Sequence, residues 1–204
     1  MAEKFLDKTY GKLSGGEVTA HYDKWAASYD AEIAENGYAT PGRCAEALAR
    51  HLNNRAAPIL DFGCGTGLSG QALALEGFTT IDGIDPASEM LAQAKTRGVY
   101  RSLTHITPDA DISGTTGDYA AITAIGVIGV GAAPPSVMGQ IMAALAPGGL
   151  FVFSLNDHAL ADAPTMAARA ALITDGIAVE KDHSYGTHLP GINLNSSVYV
   201  FGKL

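Results

Sequence analysis

The chain has 204 residues, of which 47% are hydrophobic, 17% charged and 7% aromatic. That length fits one domain with a sizeable core, and the composition is too apolar for a disordered chain. With 13 basic residues against 21 acidic ones the net charge is −8, and no run of Lys or Arg is present to displace the counterions of a nucleic acid, so no nucleic-acid partner is expected.

The apolar, uncharged stretch at residues 120–135 is shorter than the ~20 apolar residues needed to span a bilayer and is broken by Gly126, Gly129, Gly131 and Pro134-Pro135. It predicts a buried strand running into a loop, and no membrane partner. The two cysteines, Cys44 and Cys64, lack metal-ligand spacing and a C-x-x-C pattern, and the first residues have no apolar leader. A cytoplasmic protein without a metal site is expected.

Residues 1–16 read as a loose polar arm. From Glu17 onward Val18, Tyr22, Trp25, Tyr29 and Ile33 recur at spacings of three and four, the period of an amphipathic helix, and Asn36-Gly37 ends it. Thr40 followed by Pro41 predicts an N-cap and a second helix with Ala45, Leu48 and Leu52 on its apolar face. Residues 58–62 form a short strand that runs into Gly63-Cys64-Gly65-Thr66-Gly67 and then a helix over 68–76. A second strand, 79–84, ends in Asp85-Pro86, which caps a helix carrying Met90, Leu91 and Ala94. Strands are expected at 99–106 and 119–128, the latter without charges as in the centre of a parallel sheet. A helix over 136–146 stops at Pro147-Gly148-Gly149, and a fifth strand, 150–155, follows. After a helix over 165–174, two strand-like segments, 177–185 and 196–204, flank a loop at 186–195. The alternation predicts an α/β, doubly wound, Rossmann-like sheet of seven mostly parallel strands with an antiparallel terminal strand. No composition break marks a linker, so residues 1–204 read as a single domain.

Strand, glycine loop and helix N-terminus together make a site for a polar ligand, because unpaired N–H groups point outward and absent β-carbons permit close approach. Two frames fit. Gly65-Thr66-Gly67-Leu68-Ser69-Gly70 is a G-x-G-x-x-G dinucleotide fingerprint, and Asp61-x-Gly63-x-Gly65-x-Gly67 is the D-x-G-x-G-x-G pattern seen in S-adenosylmethionine (SAM) binding. A carboxylate at the mouth repels a pyrophosphate and attracts an ammonium or a sulfonium, so Asp61 favours the second frame. That frame also starts directly after the strand, where the tight turn is required. Asp85 ends the second strand about 20 residues farther on, where an acid can accept both ribose hydroxyls, and it can cap the following helix as well.

The segments ILDFGCGTGLSG (59–70), IDGIDPASEML (81–91) and LAPGGLFVFS (145–154) resemble class I SAM-dependent methyltransferases. HYDKWAASYD (21–30) and YATPG (38–42) further resemble the small methyltransferase-like proteins of the Williams-Beuren region type. The resemblance implies SAM as cofactor, with Asp61, Gly63 and Gly65 along its methionine part and Gly67 opening the helix. It further implies Asp85 on the ribose, Pro86 against adenine, and an acidic contact to the adenine amino group from Asp109 beside Ala110. Thr107 is the alternative for that last contact in a gap-free comparison. Residues 1–52 would supply an arm and lid helices, with Trp25 and Tyr29 over the cofactor. The family's usual Tyr-Asp-Ala start of strand four is Tyr119-Ala120-Ala121 in this chain, and Asp118, just before Tyr119, is the candidate to substitute for its acid.

Methyl transfer needs chiefly an aligned acceptor lone pair, so a general base is optional. The loop at 126–135 contains no side chain able to do acid–base chemistry, and no catalytic residue is assigned. Asp157, His158, His183 and His188 lie near strand ends and are candidates only by position. The expected activity is methylation of a small, partly hydrophobic molecule. The alternatives are a SAM-binding protein without catalysis and, with less support, an NAD(P)-dependent reductase, whose Tyr-x-x-x-Lys spacing is matched by Tyr199 and Lys203 in a terminal strand, where alternation does not put the two on one helical face.

Overall fold

The computed structural model describes residues 16–114, 119–129 and 131–204. The expected arm, apart from Gly16, and Asp118 lie outside the described residues. Helix α1 (Gly16–Glu35) and helix α2 (Thr40–His51) precede the sheet. Then follow β1 (Ile59–Phe62), α3 (Leu68–Leu75), β2 (Ile81–Asp85), α4 (Ser88–Thr96), β3 (Ser102–His105) and β4 (Ala121–Ala124). The chain continues through α5 (Val137–Ala144), β5 (Leu150–Asn156), α6 (Asp157–Ala161), α7 (Ala163–Thr174), β6 (Ala178–Leu189) and β7 (Leu194–Lys203).

The seven strands form one sheet in the order β3-β2-β1-β4-β5-β7-β6. Pairs among β1 to β5 are parallel, whereas β7 runs antiparallel to both β5 and β6. Chain order reverses between β1 and β4, the switch point at which ligands bind beyond the carboxyl ends of the strands. Every residue of β1, β2 and β4 is buried, as required of central strands covered on both faces. Alternation along β5 splits the core. Phe151, Phe153 and Leu155 join Met138 and Ile141 of α5 on one face, and Leu150 and Val152 join Leu48 and Leu73 from α2 and α3 on the other. A third, smaller cluster joins Trp25, Ala26 and Ile33 of α1 to Ala87 and Met90 at the start of α4 and to Leu189 and Leu194 of the last hairpin.

Three local expectations are corrected, and one short helix is added. Strand four stops at Ala124, because Gly126 with φ +71 turns the chain out of the sheet. Thr40 is no cap: its hydroxyl is buried within 2.8 Å of His188 Nδ1 and 3.0 Å of Ser196 Oγ, so it ties α2 to the hairpin. The terminal strands extend through most of the expected loop, leaving a 3-10 turn at Pro190–Ile192. The polar run after β5 is a short helix, α6, capped by Asn156 Oδ1, which accepts the Ala159 N–H at 3.0 Å.

Candidate functional site

The β1–α3 connection is built from backbone hydrogen bonds. Gly63 and Cys64 donate their N–H groups to Ile84 O at 2.9 and 3.1 Å, fixing the loop to the end of β2, and Gly67 N–H donates to Cys64 O at 2.8 Å. Gly65 has φ +52, a region that favours glycine, and a side chain there would meet nothing within 4 Å. The loop therefore has an open face. Asp85, at the end of β2, organises it: Oδ2 accepts the Gly65 N–H and Oδ1 the Ala87 N–H, each at 2.8 Å. Burial raises the Asp85 carboxyl from its ordinary value to about 6, against the opposing effect of those two N–H donors.

A cavity of about 810 Å³ opens beside this loop, within the size range of small-molecule sites. Its floor is formed by residues that follow the carboxyl ends of the strands: Gly63 and Gly65 after β1, Pro86 after β2, Asp109 after β3 and Val127 after β4. Val18, Tyr22 and Tyr29 of α1 roof it. That helix is fastened at two points. Asp23 Oδ1 accepts the Glu89 N–H at 3.0 Å in the first turn of α4. Asp30 accepts the Thr66 hydroxyl of the glycine loop at 2.6 Å and pairs with Arg97, whose Nε donates to Thr66 O at 2.6 Å.

The residues singled out in the sequence fall into two groups. Gly63, Gly65, Asp85, Pro86, Asp109, Ala110 and Tyr29 all line the cavity. Thr107 does not, because a turn closed by Ala110 N–H to Thr107 O presents the next residues instead. Asp61 stands behind the loop. It is wholly buried and accepts from Ser69 Oγ at 2.5 Å, Tyr100 Oη at 2.7 Å and Thr123 Oγ1 at 2.9 Å, so its carboxyl organises the protein rather than facing the cavity. Gly67 precedes α3 with φ +87 and faces Arg97 and Tyr100. Trp25 is 1% exposed and belongs to the α1–α4 cluster, reaching only a side pocket of about 50 Å³.

The other candidates lie elsewhere. Asp157 accepts from Tyr185 Oη and Asn195 N–H, each at 2.9 Å, and His183 stacks on Tyr199 with centroids 4.4 Å apart. That stacking, with Phe153 on Tyr199 at 5.1 Å, makes Tyr199 a core residue of β7 and removes the reductase pair. His188 lines the side pocket, and burial aided by the Arg43 cation lowers its pKa to about 4. Tyr38, Tyr100 and Arg97 were missed as site-forming residues. Their side chains act on segments 26 to 150 positions away, and no local spacing marks such a contact.

A family profile described as a methyltransferase domain matches residues 37–190. The chain belongs to that methyltransferase family. It is 32% identical over 132 residues to human methyltransferase-like protein 27, covering 63% of this chain and 54% of that protein. Thus it spans about half the length of the curated relative it matches. Among solved structures, magnesium protoporphyrin IX methyltransferase from Synechocystis PCC 6803, determined with SAM bound, resembles it with a TM-score of 0.58 at 14% identity, over 98% of this chain and 90% of that one. Geranyl diphosphate methyltransferase in complex with SAM gives a TM-score of 0.58 at 14% identity, over 80% and 85% of the two chains. At such identities the likeness is one of fold. Among the described residues, no helix is long and apolar enough to cross a membrane.

Proposed function

We propose that the chain is a SAM-dependent methyltransferase acting on a small molecule, with residues 1–204 as one catalytic domain and α1 as the lid over its cofactor. The observation that carries the reading is the Asp85 carboxylate bonded to Gly65 N–H at the rim of the cavity. Each Asp85 oxygen accepts one backbone N–H, which leaves lone pairs for the two hydroxyls of a ribose. The open face of Gly65 leaves room for a ligand at the backbone. Pro86 offers an apolar ring to a base and Asp109 an acceptor to an exocyclic amine, both from the cavity wall. These residues fit SAM.

When bound, SAM supplies an electrophilic methyl carbon: the acceptor's lone pair bonds to it, and the electrons of the broken carbon–sulfur bond return to sulfur. The protein's task is to exclude water and align the acceptor. Tyr22 and Tyr29 serve the first need from the roof, and Asp61 holds the loop through Ser69 and Tyr100. Similarity to human methyltransferase-like protein 27 supports the nearer resemblance to the Williams-Beuren-type group as part of this proposal. The free, buried Cys44 and Cys64 support a reducing, cytoplasmic setting.

Calorimetric titration with SAM, S-adenosylhomocysteine, NAD and NADP tests the proposal. SAM and S-adenosylhomocysteine are expected to bind and the dinucleotides not to bind; the reverse pattern overturns it. The apolar loop after β4 favours one second reading, a SAM-binding protein without catalysis. Methyl transfer from radiolabelled SAM to a small-molecule extract separates the two.

A further inference from the structure

The end of the cavity next to β4 is built around a residue that the cofactor reading leaves unused. Tyr38 follows the Asn36-Gly37 turn and lines both the main cavity and the 50 Å³ side pocket. Its position is fixed on both sides by the last hairpin. Asn36 O accepts the Gly191 N–H at 3.1 Å, and Ala39 N–H donates to His188 O at 3.0 Å. The Tyr38 ring meets the His188 ring edge-on, with centroids 5.2 Å apart and planes at 83°. The late hairpin thus enters the site through Tyr38 rather than through side chains of its own in the main cavity.

Gly126 fixes where the phenol oxygen sits. This residue, two positions past β4, has φ +71, and a β-carbon on it would overlap Tyr38 Oη. Its N–H is already given to Ser154 Oγ at 2.8 Å. The Tyr38 hydroxyl therefore lies against the backbone at the carboxyl end of β4, on the acceptor side of the switch point.

We propose that Tyr38 is a positioning and specificity residue, whose hydroxyl hydrogen-bonds the hydroxyl or amine of a neutral aromatic acceptor held at the end of β4. The proposal rests on the methyltransferase reading and adds the acceptor class. Tyr22 and Tyr29 give this end aromatic walls, and Val127, Ala133 and Pro134 give it apolar ones. Such surfaces suit a planar, apolar body. Among the described residues, Ser154, Asn156 and His188 line the side pocket with Tyr38 and carry no charge, the last kept neutral by burial and by the Arg43 cation. A carboxylate or phosphate seated here would be desolvated with no cation among these lining groups, since Arg43 spends its guanidinium N–H groups on Thr187, Ser184 and Ser196, and the cost would be high. A hydroxyl or an aromatic amine matches the phenol's capacity both to donate and to accept.

The test uses full-length protein saturated with S-adenosylhomocysteine and carrying 3-fluorotyrosine at position 38 alone, titrated with phenol, toluene and benzoate and followed by fluorine NMR. Phenol is expected to shift the resonance saturably, with benzoate at least ~10-fold weaker. Calorimetry on Tyr38→Phe is expected to show phenol weakened about fivefold, the usual effect of one neutral hydrogen bond, with toluene and S-adenosylhomocysteine binding unchanged. Equal loss of phenol and toluene would make Tyr38 a merely structural wall and overturn the proposal. Benzoate binding as tightly as phenol, or the absence of a saturable shift, overturns it too. The wild-type series stands by itself if the variant does not fold. Failure of S-adenosylhomocysteine to bind at all is a separate result, which defeats the cofactor reading instead.

Discussion

Asp85 Oδ2 accepts the backbone N–H of Gly65 at 2.8 Å across 20 positions of sequence. One carboxylate thereby sets the shape of the glycine loop and also faces the cavity. Removing it disturbs both. Asp85→Ala is expected to weaken SAM binding by ~1–3 kcal/mol and to lower stability by a similar amount, since the buried Ala87 N–H and the half-buried Gly65 N–H lose their acceptor. Calorimetry and urea unfolding on the same preparation check this; unchanged affinity in a folded variant would move the ribose contact elsewhere.

The same burial makes Asp85 a pH-dependent element. Its pKa is raised to about 6 in the folded protein, so the proton is held more tightly folded than unfolded. The stability tied to that proton is complete below the ordinary carboxylate range, and it is lost as the pH rises through about 6. Across that window the wild type should lose up to about 3 kcal/mol relative to Asp85→Asn, which has no proton to release. Parallel stability curves for the two proteins between about pH 4 and pH 7 would contradict the assignment.

Gly70 and Tyr100 are matched in the same way. Gly70 N–H donates to Tyr100 Oη at 3.1 Å, Tyr100 in turn donates to Asp61, and a β-carbon on Gly70 would overlap the phenol oxygen. Gly70→Ala is expected to cost ~1–3 kcal/mol by overpacking. Tyr100→Phe is expected to cost about as much, by leaving the buried Asp61 and Gly70 groups short of a partner. Because Tyr100 lies outside the cavity lining, SAM affinity of the folded Tyr100→Phe protein should change less than about threefold, as calorimetry can establish.

Trp25 and Tyr29, with ring centroids 4.6 Å apart on α1, have different surroundings. Trp25→Ala should cost ~3–5 kcal/mol, as for other large buried rings, with SAM affinity of the folded fraction retained, because Trp25 does not line the main cavity. Tyr29→Ala should show the opposite balance, with a modest stability loss and at least ~10-fold weaker SAM binding through loss of the roof. Equal losses of affinity in the two variants would show that the roof does not depend on which ring faces the ligand.

The clasp formed by Asp30, Thr66 and Arg97 is half-exposed on the Asp30 side. Its contribution to global stability should be below about 1 kcal/mol. Its effect on local opening should be larger. Asp30→Asn is expected to speed amide exchange in α1 several-fold while the sheet stays protected, because helix ends open independently of the core. Exchange followed by mass spectrometry decides it, and an unchanged α1 would leave the helix held by the Trp25 cluster and the Asp23 contact to Glu89.

The strand and helix alternation, the glycine turn and the acid at the end of β2 could be read from the residues alone, because each is a local pattern; that Asp85 binds Gly65 and Ala87 N–H groups and is not the cap of α4, whose N-cap is Ala87, could not. A period of 3.6 or 2 reports one face of one element, and a glycine turn reports its own backbone. The four buried residues of β4 were likewise readable from an uncharged run. Which side of a wall each residue stands on is instead set by packing between elements. Asp61 carries the expected motif position, yet it turns to Ser69, Tyr100 and Thr123, since a buried carboxylate must find donors wherever the fold supplies them. Trp25 and Tyr29 share one helical stripe, and only the packing of α1 on α4 buries the first and leaves the second over the cavity. Tyr38 opens the YATPG segment, yet no local pattern says where its ring goes. Its place follows from a hairpin 150 residues later that grips the chain on either side of it, and such long-range pairings are set by the assembled sheet rather than by any neighbouring residues.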